Sequence, residues 1–192
     1  MALIAQLTRL HNSVFGLLHK WGDQWLVGLL ARIVFLAVLF LYFWNSGLTK
    51  IGSGLFGIFQ IQDGAYFQIL GEAGMIAYEF DTANIPFYVD AVVAFGTWAE
   101  FILPLLIVFG LFTRIAAVGM SIFVLVQSYV DIAVHKVDAG TIGALFDRDS
   151  ASVILDQRTL WFFLFVVLFI KGAGALSLDT LVSRWWNGRQ AD

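Results

Sequence analysis

Four apolar stretches divide the chain: Leu26 to Ser46, Val89 to Gly110, Arg114 to Val134 and Thr159 to Ala175. Each approaches the roughly 20 residues that carry an α-helix across a hydrocarbon core. Only a helix or a closed barrel satisfies the backbone there, and runs of this length without strand alternation predict helices. Ahead of the first run, Leu3, Leu7, Leu10, Val14, Leu17, Leu18 and Trp21 recur at helical spacing among Arg9, His11 and Lys20. That pattern predicts an amphipathic helix lying flat in the interface. The connection from 47 to 88 is too apolar to run bare through water, with Ile58, Phe59, Ile61, Tyr66, Phe67, Ile69, Leu70, Met75, Ile76 and Phe80. One or two short helices over the outer mouth are expected, punctuated by Gly52, Gly54, Gly57, Gly64, Gly71 and Gly74. The predicted architecture is an all-α, polytopic membrane protein: one domain over 1–192, a four-transmembrane-helix bundle with an N-terminal interfacial helix.

Composition agrees. Of 192 residues 60% are hydrophobic and 13% charged, with a mean hydropathy of +0.84, against about one-quarter charged in soluble domains. The first apolar run is too long for a signal core and ends in Phe43-Trp44-Asn45, so it is expected to stay as an anchor. Arg9, Lys20, Arg114, Lys171, Arg184 and Arg189 fall on one side of a four-span topology. By the positive-inside rule that side is cytoplasmic, which predicts a bacterial inner-membrane protein with both termini in the cytoplasm. The connections 47–88 and 135–158 are acidic and outer. The net charge of -3 thus describes an acidic outer face on a chain with a basic inner one, and gives no support for nucleic-acid binding. The absence of cysteine excludes a catalytic thiol, a disulfide relay and a thiolate-held metal or iron–sulfur cluster in this chain.

The polar residues inside the apolar runs are the candidates for chemistry. Glu100 is a carboxylate at membrane depth, and Pro104 crowds the carbonyl of the same residue. At roughly 1.5 Å per residue across a core of about 30 Å, Arg32 and Glu100 lie at levels about 5 Å apart and are expected partners. Such a pair either fixes helix register or handles a ligand or proton. Gln127, Asp131 and His135 share one helical face, and Asp90 begins the second run at a similar level. One polar cluster at the outer mouth, including His135, is therefore expected. A metal site from Asp90, Asp131 and His135 fits by residue type but matches no recognised spacing, so none is expected. Bis-histidine haem is not expected either, because His11 and His19 belong across the membrane from His135. Trp21, Trp25, Trp44, Trp161, Trp185 and Trp186 read as interfacial anchors. Trp98, within the second run, either packs or stacks on a quinone-like ring.

Three segments together resemble the DoxX family of small four-helix bacterial membrane proteins. They are Ala31-Arg32-Ile33 through Ser46-Gly47-Leu48-Thr49-Lys50-Ile51, Glu100-Phe101-Ile102-Leu103-Pro104 through Phe109-Gly110-Leu111-Phe112-Thr113-Arg114, and Lys171-Gly172-Ala173-Gly174-Ala175-Leu176-Ser177-Leu178-Asp179. The outer connections are longer than a minimal member needs. Relatives implied by the resemblance include a subunit of a thiosulfate:quinone oxidoreductase and proteins supporting redox homeostasis or cofactor maturation.

Three functions follow as expectations. The first is a membrane oxidoreductase subunit, with catalytic Glu100 and Arg32 beside a quinone-sized pocket, Lys50, Asp90, Trp98, Gln127, Asp131 and His135 contacting ligand, and a quinone or a partner's cofactor carrying electrons. The second is a non-enzymatic scaffold or maturation partner for a redox or metallopeptide-modifying enzyme. The third is a small transporter acting as a homo-oligomer.

Overall fold

The computed structural model describes residues 2–22, 26–54 and 56–189. It is 77% helical, with no strand among the described residues. Helix α1 covers Ala2–Trp21. Four helices are long and apolar enough to cross a membrane: α2 (Val27–Leu48), α4 (Phe87–Phe109), α5 (Thr113–Val134) and α6 (Val153–Lys171). Between α2 and α4 lies α3 (Asp63–Ile76), the short helix expected in the long connection. The chain closes with α7 (Leu178–Arg189). Of the aromatic anchors read from the sequence, Trp25 and the Trp21 side chain lie outside the described residues.

The spans form a ring in which α2 packs on α4 and α6, and α5 packs on α4 and α6. Phe35, Leu39 and Phe43 of α2 meet Ile107, Ala117, Met120, Val124, Phe165 and Leu168 in the central core. At most a third of each span's most apolar window is buried inside the fold, and Val38, Phe95, Ile115 and Phe163 point outward. In water that much exposed apolar surface would be strongly unfavourable, whereas acyl chains are its natural surroundings. This is a membrane protein.

One end of the ring carries the 110–112 turn and the 172–177 segment, here called the terminal end; the other carries the two long connections, the loop end. At the loop end Ala65, Tyr66 and Met75 of α3 form a second core with Ile85 and Val93. The first turns of α4 therefore pack against α3, and α4 extends past the loop end of α2. Pro104 is buried inside α4, which continues through it to a left-handed Gly110 at φ 67°. The fourth span differs from its expected bounds. It starts at Val153 in a widened π turn and stops at Lys171, because Gly172 turns the backbone away at φ 71°.

Two of the tryptophans read as interfacial anchors also pack between spans. Trp44 sets its ring edge against Phe101 with centroids 5.0 Å apart, and Trp161 does the same against Tyr42 at 5.3 Å. Edge-to-face pairs of this kind add to the burial of the rings themselves.

Close helix approach depends on Gly28 in α2. A Cβ there would stand 2.5 Å from the Gly172 carbonyl oxygen and 2.9 Å from the Gly174 nitrogen, and backbone cannot step aside as a flexible side chain can. Gly28→Ala is expected to destabilise the bundle by about 1–3 kcal/mol. Gly16→Ala in α1, where a Cβ meets open space, should be neutral or stabilising by up to about 1 kcal/mol. Unfolding in detergent by graded denaturant checks both.

Candidate functional site

Glu100 is buried, and its partner is Lys50. The Lys50 Nζ lies 2.8 Å from Glu100 Oε1 and 2.7 Å from Oε2, and it also donates to the Ser46 hydroxyl at 2.8 Å. Ser46 Oγ in turn donates to Glu100 Oε1 at 3.2 Å. Lys50 stands just beyond α2, where its backbone N–H closes onto the Gly47 carbonyl and its carbonyl accepts from Gln62. Ser46 and Lys50 are four apart, so the ammonium folds back along the helix end and into the bundle. Both ions are almost fully shielded, with side chains 4% and 7% exposed. A buried pair is tolerable only with its hydrogen-bonding capacity filled, and Ser46 helps to fill it.

The expected Arg32–Glu100 pair does not form. Arg32 Nε donates to the Ile107 carbonyl at 3.0 Å and Nη2 to that of Val108 at 2.5 Å, while Nη1 reaches Ala173 and Leu176 at 3.0 and 2.6 Å. Ile107 lies about 10 Å along α4 from Glu100 at the helical rise. The depth estimate failed because it assumed that all spans begin at one level, whereas α4 overshoots α2 by the turns that cover α3. Arg32 instead caps the carbonyl end of α4, where the helix dipole favours a cation.

That terminal end is a latch made from the family-like segments. Asp179 Oδ1 accepts from Phe112 N at 2.7 Å and Oδ2 from Thr113 N at 3.1 Å, and the Asp179 N–H donates to Gly110 O at 2.8 Å. Ser177 accepts from the Thr180 N–H at 3.2 Å and so caps α7. The 172–179 element is therefore a set of caps binding α7 to the α4–α5 turn.

The outer polar residues go to separate partners instead of one cluster. Asp131 Oδ2 accepts from Arg158 Nη2 at 2.5 Å, and Arg158 Nη1 donates to Ser128 at 2.8 Å. Gln127 Nε2 donates to the Tyr42 hydroxyl at 2.8 Å. His135 Nε2 bonds to the Gln68 carbonyl at 2.8 Å, and Asp90 accepts from the Tyr66 hydroxyl. Among the described residues, no three His, Cys, Asp or Glu side chains converge to hold a metal ion. The physical reason is competition: α2, α3 and α6 between them supply a nearer partner for each group. Sequence reading missed Arg158, whose position at the edge of the fourth run looked like a loop charge but is only 2% exposed.

Between α4 and α5 lies a cavity of about 340 Å³. Its walls include Lys50, Thr97, Glu100, Leu103, Gln127 and Asp131, with Gln68 and Ile69 of α3 above. The rim residues Val92, Phe95, Ile122 and Val126 are exposed, so the cleft opens sideways toward the lipid. Gln127 Oε1 is buried and accepts no hydrogen bond among the described residues. Trp98 is not in this wall; its indole N–H holds the Ile58 carbonyl at 2.8 Å and its ring meets Phe59 and Phe95 edge-on. Arg32, Asp90 and His135 are also outside it.

Removing one ion of the buried pair leaves the other unpaired, so Lys50→Met or Glu100→Leu alone is expected to cost about 3–5 kcal/mol. The double substitution should recover most of that loss, giving a large coupling in a double-mutant cycle measured by unfolding. The Tyr66 hydroxyl is pushed up to about 12, first by burial and then by its bond to Asp90. Its folded value lies above the usual one near 10. The contribution it makes is therefore complete below about pH 10 and lost as pH rises toward 12. Tyr66→Phe should remove that part of the alkaline destabilisation, read by unfolding at stepped pH.

A family model described as DoxX matches residues 27–135, from α2 through the end of α5. No curated protein and no solved structure matches the chain. The match covers more than half of the 192 residues, including Arg32, Lys50, Glu100 and Arg114, while the 172–179 latch lies beyond it. The chain belongs to the DoxX family.

Proposed function

We propose that this protein is a subunit of a bacterial inner-membrane redox system whose α4–α5 cleft takes a quinone-type molecule from the bilayer. The carrying observation is the lipid-side cleft itself, whose volume of about 340 Å³ falls within the roughly 300–1,000 Å³ of small-molecule sites. Its charges are balanced, Lys50 against Glu100 and Arg158 against Asp131. A wall without net charge suits a neutral, bilayer-soluble ligand over an ionic one, which argues against an ion path for a transporter. Gln127 Oε1 offers a free buried acceptor that a quinol hydroxyl can satisfy. A quinone would supply coupled electron and proton carriage, with the electrons coming from a partner's cofactor. In this reading Glu100, tethered by Lys50 and Ser46, exchanges a proton at its carboxylate oxygens, and Asp131 orients the head group. Arg32 serves by holding the terminal end. In the same reading the basic residues at that end favour a cytoplasmic side for it and for both termini, by the positive-inside rule.

A scaffold role remains the second reading, supported by Phe56, Phe59, Phe87 and Phe146, all more than two-thirds exposed at the loop end. Such aromatics suit a protein partner.

Gly96→Leu tests the cleft without touching either ion pair. A Cβ at Gly96 has as its nearest neighbour Ile69 Cδ1 at 3.8 Å, so the added side chain can occupy the cleft without a backbone clash. Titration of the reconstituted protein with short-chain ubiquinone, followed by tryptophan quenching, should give saturable binding. Gly96→Leu should weaken it at least about tenfold, or 1.4 kcal/mol. Native protein indifferent to quinone, or a variant binding as native does, would overturn the reading.

A further inference from the structure

We propose that α1 is an anionic-lipid-binding element, lying in the leaflet on the terminal side of the bundle and paired there with α7. The inference does not depend on what the cleft binds. Helix α1 keeps Ile4, Leu7, Leu10, Val14, Phe15 and Leu17 between 45% and 69% exposed. At 3.6 residues per turn the apolar residues of α1 occupy an arc of about 160°, wider than the two-position seam of a coiled coil. The single polar residue on that arc, His11, lays its ring against Phe15 with centroids 4.3 Å apart. Arg9 and Lys20 sit opposite the arc's centre, and residues 1–22 contain no acidic side chain. A broad apolar bed backed only by positive charge is complementary to acyl chains beneath anionic headgroups.

Helix α7 repeats the arrangement independently. Leu181, Val182, Trp185 and Trp186 share one face and are 53–60% exposed, while Thr180, Ser183 and Arg184 lie on the other. Its position is fixed by the Asp179 and Ser177 caps described above. Four spans separate α1 from α7, so both emerge on the same side of the membrane. The attraction of each Lys or Arg to an anionic surface is screened by salt.

The chain has no cysteine, which allows single reporters in the full-length protein. Leu7→Cys, Val14→Cys and Arg9→Cys are nitroxide-labelled and reconstituted into phosphatidylcholine vesicles with or without phosphatidylglycerol. At positions 7 and 14 the expected result is several-fold greater collision with oxygen, and less with a water-soluble nickel chelate, than at position 9. The contrast should increase with phosphatidylglycerol and shrink in high salt. Equal nickel access at all three positions overturns the proposal. Spin–spin broadening at 7 and 14 would assign the face to a second copy, and labels shielded from both relaxants would assign it to packing against the bundle; either overturns the proposal. A contrast indifferent to phosphatidylglycerol would refute the anionic-lipid requirement.

Discussion

The fold turns on an ion pair that the membrane makes costly to break. Lys50 and Glu100 join the end of α2 to the middle of α4, and with 4% and 7% side-chain exposure neither can reach water for relief. Desolvation means the pair adds little net stability over an apolar contact, but it strongly penalises any packing that separates the two. Helix level follows from it. Ser46 must face Glu100, which leaves the first turns of α4 standing above α2, and α3 packs against them. The cleft between α4 and α5 is what remains beneath that cover.

The terminal end solves the opposite problem, since there the backbone supplies the polar groups. Helix α4 ends in carbonyls that Arg32 caps, and α5 begins with N–H groups that Asp179 accepts. A cation at one helix end and an anion at the next match the dipoles they face. Residues far apart in sequence thereby close the bundle around α7. The result is an ordered base and a lipid-facing cleft near the other end, with the buried cations Arg32, Lys50 and Arg158 all held by hydrogen-bond acceptors.

Much of this was legible in the sequence. The lengths of the apolar runs gave four spans, three of them to within two residues, and Ser177 was readable as the cap of α7 from its place after Gly172 and Gly174, whereas Asp179 reaches across to the start of α5. Partner choice was not legible, because it depends on how helices are offset along the membrane normal. Arg32 and Glu100 looked level only when each span was counted from its own end. Lys50 stood among the expected ligand contacts, yet nothing local showed that its side chain would fold back toward Glu100. Asp131 and His135 share a helical face but diverge, since Arg158 approaches from α6 and the Gln68 carbonyl from α3. Arg158 carried one available signal, a cation at the head of a phenylalanine-rich run and opposite an intramembrane aspartate.

Ionisation of Glu100 within the bundle is the claim on which the offset of the helices and the shape of the cleft both rest. Infrared difference spectra between the native protein and Glu100→Gln in lipid test it most directly. The Lys50 pairing predicts that the substitution removes intensity from the ionised carboxylate stretch at neutral pH. Loss of a protonated carboxyl stretch instead would show that Glu100 is neutral and that no buried ion pair organises the fold.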